Sequence, residues 1–248
     1  DVNMLFVAPS SDNLYYNEAF VKAAASYCQA KLNCVLLAEC NPSLRPEQAR
    51  SAILQQSINN SFCSVFYNRL KVINRDSDAT SESKFVSCLG AVAGKIADVD
   101  SNFGPHESAA GDAPFGNLTG VVGVERTLTD KQRGLLNDAN INPIHAVRGR
   151  GVLIYGVRTQ DESLEFRYLN NRRMMIFLQQ SIAKAMQSRV FRNNNANLWR
   201  QIRNVVSDFL QDQLAKNALR GDTANEAFFV RVGEVDGVQT PTDTLNGR

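Results

Sequence analysis

The sequence predicts an α/β fold, a mixed β-sheet flanked by helices, on three observations. Up to residue 73, apolar runs of strand length alternate with segments at helical spacing, the β-α-β-α-β succession of helices packed on a largely parallel sheet. The runs are continuously apolar, as strands covered on both faces are, instead of alternating with polar residues. In the middle of the chain, Val152–Val157 is apolar at five of six positions, with Gly149, Gly151 and Gly156 around it. Such glycines predict that another backbone or a bulky neighbour comes close.

In chain order, Asp1–Ala8 reads as a strand that ends at Pro9. Asn17–Lys31 carries Ala19, Phe20, Ala23, Ala24, Tyr27 and Cys28 at helical spacing. Asn33–Glu39 is the second strand, and Pro46 sits where a helix's first turn tolerates it, so Glu47–Ile58 continues as helix. Phe62–Tyr67 and Lys71–Ile73 form the next strand and its extension, and Asn74–Ser83 is a polar loop. Lys84–Asp98 reads as a helix whose small residues at 90, 91, 93, 94 and 97 allow close approach. Val99–Leu118 is the longest irregular stretch and therefore a functional or interface segment.

Thr119–Val124 is a short strand, and Thr129–Asp138 a helix capped by Thr129 or Asp130. The stretch Ile141–Arg173 then reads as a polar approach, the glycine-spaced strand, a second short strand and a charged start to a long helix. That helix, about Asn171–Phe191, places Met174, Leu178, Ile182, Ala185, Met186 and Val190 on one side. A second, about Leu198–Lys216, has the clearest apolar stripe in the chain: Leu198, Ile202, Val205, Val206, Phe209, Leu210 and Leu214. The turn Arg192–Asn197 supplies its cap; Glu226–Val232 reads as a final strand, and 233–248 as a loose polar tail. The expected organisation is two halves, 1–128 and 129–248, packed as one body.

Composition narrows the function classes. The 248 residues carry a net charge of +2, which gives no global field for nucleic acid or an anionic membrane. No apolar run approaches the roughly 20 residues that span a bilayer. The chain starts at Asp1 inside a strand, so a piece of a longer protein is expected, and Arg248 as last residue suggests trimming by a trypsin-like protease. Five cysteines, all in the first 88 residues and without a CxxC pair, read as buried free thiols; with two histidines they make no metal site.

No catalytic constellation stands out. The glycines at 149, 151 and 156 run into a strand, whereas a phosphate loop runs from a strand into a helix. His106 and His145 have no nucleophile elbow beside them. Asp98 and Asp100, two apart, point to different faces of a helix. Arginines crowd both ends of the central strand, at Arg148, Arg150, Arg158, Arg172 and Arg173. With the net charge near zero and no exposed aromatic platform expected among them, they read as ion-pairing groups within and between subunits, since a planar guanidinium suits carboxylates removed from water.

Six segments in order carry a resemblance to a family. They are DVNMLFVAP; KFVSCLGAVAGKIADVDSNFGPHESAAG; TLTDKQRGLLNDANINPIHAVRGRGVLIYGVRT; FRYLNNRRMMIFLQQSI, with its arginine pair; VFRNNNANLWRQIRNVVSDFL, with the lone tryptophan; and ANEAFFVRV. Together they resemble the contractile tail sheath proteins of phages and related particles, with departures at Tyr155, Asn193–Asn195 and Cys88.

The resemblance implies a conserved-type sheath core without its terminal arms, and a structural subunit rather than an enzyme. Such subunits polymerise helically around a tail tube and contract to drive it through the host envelope for genome ejection. Implied partners are other copies, the tube, baseplate and tail terminator proteins, with no nucleic acid, membrane insertion or cofactor. The implied location is the virion tail, assembled in the host bacterial cytoplasm. By position, Lys216 and Arg220 face the tube. The alternatives are the sheath of a bacteriocin-type or other contractile injection system, and a small α/β enzyme using the 102–117 loop and His106.

Overall fold

The structure is a computed structural model that describes residues 3–6, 18–73, 82–234, 236–240 and 242–243. It divides into two compact units, residues 1–177 and 178–248, so the division expected at 128/129 falls inside the first.

The first unit is built on a six-stranded mixed sheet in the order β1-β2-β3-β8-β9-β6. The strands β1 (Met4–Leu5), β2 (Val35–Glu39) and β3 (Cys63–Tyr67) run parallel, and β8 (Ile141–Val147) joins β3 in parallel. Every residue of β2 and β3 is buried, as their continuous apolar runs require. Helices α1 (Glu18–Lys31) and α2 (Pro46–Gln56) are the crossovers between them. Val21, Ala25 and Cys28 of α1 and Ala49 and Ile53 of α2 are buried in the core.

A separate antiparallel sheet, β5-β4-β7, is made of β4 (Leu70–Ile73), β5 (Ser83–Val86) and β7 (Gly123–Val124). The expected polar loop 74–83 falls on residues 74–81, outside the described residues, apart from its end, which enters β5. Here the helix expected from Lys84 is corrected. Lys84–Val86 pairs with β4, and α3 runs instead over Leu89–Asn102. Its start is set by Ser87, whose Oγ accepts from the Leu89 N–H at 3.2 Å and donates to Glu39 Oε2 at 2.5 Å. The expected close approach at Gly90 and Gly94 is also corrected: a Cβ at either would meet nothing, and α3 buries Val92, Ala93, Ile96 and Val99 instead.

Of the strand expected at Thr119–Val124 only the end forms, as β7 against β4; β6 (Asn117–Leu118) lies just before that range and pairs with β9 (Gly151–Ile154) in the other sheet. Helix α4 (Asp130–Asn137) starts as its sequence implies. Thr129 Oγ1 accepts from Gln132 N–H, and Gln132 Oε1 accepts from Thr129 N–H at 3.1 Å.

The polar approach Ile141–Val147 is itself a strand. Its first five residues are buried, and it pairs antiparallel with β9 (Gly151–Ile154) through a tight turn at 148–150. Gly149 and Gly151 hold φ of +79° and +86°, so these two serve the turn. Only Gly156 meets the expected close neighbour: a Cβ there would lie 3.1 Å from Asn142 Oδ1. The second short strand is reduced to two isolated bridges, Arg158 to Tyr168 and Gln160 to Asn60, before α5 (Leu169–Met186).

In the second unit, the end of α5 passes into a 3-10 turn at Gln187–Arg189. Then α6 (Ala196–Ala215) begins at Asn195, whose side chain accepts from the N–H groups of Asn197 and Leu198. The closing strand expected at Glu226–Val232 is not formed. Residues 224–227 make the short helix α7, capped by Thr223 and Glu226, and 228–232 carry no strand pairing among the described residues. The capping box commits 224–227 to helix, and Phe228 after it is extended, with φ −156° and ψ 164°, but has no strand beside it to pair with among the described residues.

Candidate interaction surfaces

The five arginines around the central strand are divided by their surroundings. Arg173 is 6% exposed and forms a two-pronged pair with Asp100 of α3, its Nη1 2.7 Å from Oδ1 and its Nη2 bonded to Oδ2. Its buried Nε has no partner. Arg172 lies between two rings, with its guanidinium carbon 3.6 Å from the Phe166 centroid and 4.4 Å from that of Phe62. Its Nε donates to Ser61 Oγ at 2.9 Å. Both guanidinium groups therefore fasten the start of α5 to its own chain. Asp98, two residues from Asp100, pairs instead with Lys95 at 2.9 Å, as different faces of one helix dictate.

Arg158 is half-buried, and its Nη1 donates to the Asn137 carbonyl at the C-terminus of α4, where a cation is favoured by the exposed carbonyl groups. Arg150 pairs with both oxygens of Asp112 at 2.9 Å, but more than half of each side chain is in water. Arg148, in the hairpin turn, is exposed and has no ion-pair partner among the described residues. In the second unit Lys216 caps α6, and it and Arg220 are exposed. Of the stripe on α6 only Val206 is buried; the six other residues are half-buried, and Val190 and Phe191 before it are exposed.

The residue that holds the central region together was missed in the sequence. Asn142 is fully buried in β8. Its Nδ2 lies within 2.8–3.0 Å of Ser64 Oγ, the Val65 carbonyl and the Arg158 carbonyl, and its Oδ1 accepts from Arg158 N–H at 2.6 Å. One amide thus joins β3, β8 and the segment after β9. An asparagine inside an apolar run preceding a proline was the only signal available for it.

A cavity of about 410 Å³ borders the 102–117 loop and is lined by Asp112, Asn137, Arg150, Tyr155, Arg158 and Tyr168 among others. Neither histidine lines it. His106 has its Nε2 3.8 Å from Glu107 Oε1 and its ring against Gly104. His145 is buried on β8 beside Tyr155, with centroids 6.4 Å apart and no partner for Nδ1. Burial, then the Arg133 guanidinium, pulls its pKa below the ordinary imidazole value. Among the described residues neither imidazole is hydrogen-bonded to a serine or cysteine, no group of three or more candidate ligands could hold a metal ion, and no helix is long and apolar enough to cross a membrane.

The described surfaces are thus those of a mixed sheet with helices, in which Arg158, Arg172 and Arg173 fasten elements of their own chain. No protein-family model and no curated protein matches the chain. Solved structures do. The contracted helical sheath of the anti-feeding prophage matches with a TM-score of 0.78 at 24% identity, over 99% of this chain and 63% of that one. The contracted sheath complex of PVC, an extracellular contractile injection system, matches at 0.81 and 22% identity, over 100% and 64%. A sheath tail protein from Desulfitobacterium hafniense matches at 0.62 and 13% identity, over 90% and 48%. The chain therefore has the fold of contractile sheath proteins, and spans less than two thirds of the length of those it resembles.

Proposed function

We propose that the chain is the core of a structural subunit of a contractile sheath. The observation that carries this reading is the match of 99–100% of the chain to sheath assemblies at TM-scores of 0.78–0.81. One repeated, non-closing contact between copies generates a helical sheath, and subunits moving as rigid bodies shorten it when the contacts of the contracted state are the more stable. The copies surround a tail tube, between a baseplate and a tail terminator, and contraction drives the tube into the target.

Within that class, a sheath of an extracellular injection device is the better-supported form. The two injection-type sheaths match at 0.78–0.81, against 0.62 for the tail protein from D. hafniense, and they share more of their length with this chain. A phage tail, with the virion as location and genome ejection as outcome, is the second form. It rests on the sequence resemblance and on that tail protein.

In either form, Arg148 and Arg150 at the exposed hairpin are the contacts toward neighbouring copies, while Lys216 and Arg220 face an acidic tube. Arg158, Arg172 and Arg173 support the subunit itself. The test is assembly of the protein produced together with its tube. Lys216→Glu with Arg220→Glu is expected to reduce sedimenting extended particles at least tenfold, with the variant subunit still folded by circular dichroism. Extended particles at the unaltered yield would remove the tube assignment.

A further inference from the structure

Cys28, near the end of α1, and Cys34, just before β2, are brought together by the turn between them. There Leu32 takes a φ of 54° and its N–H donates to the Cys28 carbonyl at 2.9 Å. The two Sγ atoms lie 3.5 Å apart, with the Cys34 thiol donating to the Cys28 sulfur. Both cysteines are free; Cys28 is 0% and Cys34 5% exposed. A disulfide needs the sulfurs at about 2.05 Å, so closing the bond takes a shift of roughly 1.5 Å shared by two side chains.

We propose that Cys28 and Cys34 are a latent disulfide, which a small-molecule disulfide oxidant closes to tie the end of α1 to the start of β2. The steps follow from the exposure of the two thiols. Cys34, the less enclosed, loses its proton to solvent and attacks one sulfur of the oxidant R–S–S–R, expelling one RS⁻ and leaving Cys34 joined to R–S. The Cys28 sulfur then loses its proton and attacks Cys34 Sγ, expelling the second RS⁻. The two protons released by the protein reprotonate the two RS⁻ groups. The net change is two protein thiols oxidised and one oxidant disulfide reduced to two thiols. Burial, and then Cys34 itself, pushes the Cys28 thiol up to about 12, so the second step waits on a brief opening of the α1–β2 turn and is slow. Cys40, Cys63 and Cys88 are buried too, and Cys63 lies near enough to Cys28 to feel its charge, but among the described residues no sulfur–sulfur hydrogen bond joins any of the three to a neighbour.

The experiment is incubation of the folded chain with oxidised glutathione at pH 8, followed by denaturation, alkylation of the remaining thiols and intact mass. Of five cysteines, three are expected to alkylate. Trypsin cuts at Lys31, so the cross-link holds two peptides together, and fragmentation is expected to place it at Cys28 and Cys34. The melting midpoint is expected to rise by about 5 °C and to return on reduction. Cys28→Ala is expected to stop at a glutathione adduct on Cys34. Should that variant fold poorly, the wild-type result decides alone. Five alkylated cysteines, a cross-link through Cys40, Cys63 or Cys88, or a lasting glutathione adduct on wild-type Cys34 would each overturn the proposal.

Discussion

Removing one half of the Arg173–Asp100 pair is predicted to cost more stability than any other single change among the arginines. Arg173 is 6% exposed and the Asp100 side chain 21%, so each group is compensated mainly by the other. Breaking a buried pair costs roughly 3–5 kcal/mol, because the remaining charge is left without water or partner. The partial exposure of Asp100 places Arg173→Met and Asp100→Leu at the lower end, about 3 kcal/mol each. The pair is not an optimum, however, since Arg173 Nε is already buried without an acceptor, a cost of roughly 1–3 kcal/mol. The orphan donor disappears in Arg173→Met and in the double variant alike, but only the double leaves neither charge unpaired, so it is expected to lose at least about 2 kcal/mol less than the two single losses added. Urea unfolding of the four proteins, followed by circular dichroism, measures this cycle. Arg150→Ala is the control: its pair with Asp112 is more than half in water and is worth at most about 1 kcal/mol. The reasoning fails if both single variants stay within 0.5 kcal/mol of the parent, or if their losses simply add.

Two further changes probe the same unit. Asn142→Ala leaves the Arg158 N–H without its acceptor and takes a donor from the Val65 and Arg158 carbonyls, the latter still bonded to Ser64 Oγ, and is expected to cost about 2 kcal/mol by urea unfolding. Burial holds the Glu39 carboxyl above its ordinary value of 4.5, against the opposing hydrogen bond from Ser87. Between 4.5 and the raised value the unfolded chain has lost its proton and the folded one has kept it. Glu39 therefore makes stability fall as pH rises through that window, by at most about 1.4 kcal/mol per pH unit. Glu39→Gln is expected to remove that slope and to stabilise the chain at neutral pH, as melting midpoints between pH 4 and 8 would reveal.

What could be read from the sequence was what local chemistry decides. Thr129, one of the two cap candidates for α4, Pro46 at the start of α2 and the capping turn 192–197 before α6 all act within a few residues of themselves. The continuous apolar runs of β2 and β3 likewise carry their own burial. Where the reading failed, the deciding partner was distant. Asn142 and His145 make β8 look like a polar approach, but Asn142 is satisfied by Ser64 and Val65, almost 80 residues away. Lys84–Val86 looked like the front of α3 because the helical spacing extends backward through it; pairing with β4 decided otherwise. The carboxylate for Arg173 lies 73 residues upstream, so its identity was not legible although the need for it was. The stripe on α6 was legible, while its half-buried state depends on how much chain packs over it, which periodicity does not report.

Whether this fold builds a contractile sheath is decided by electron microscopy of sedimented particles. The gene's product, made with its candidate tube protein, is examined by negative stain and then identified in the particles by mass spectrometry. Tubular particles with this chain as a principal component, in a long narrow and a short wide form, are the expected result. Dispersed single molecules with no tubular particles, whatever the salt and temperature of preparation, would contradict it.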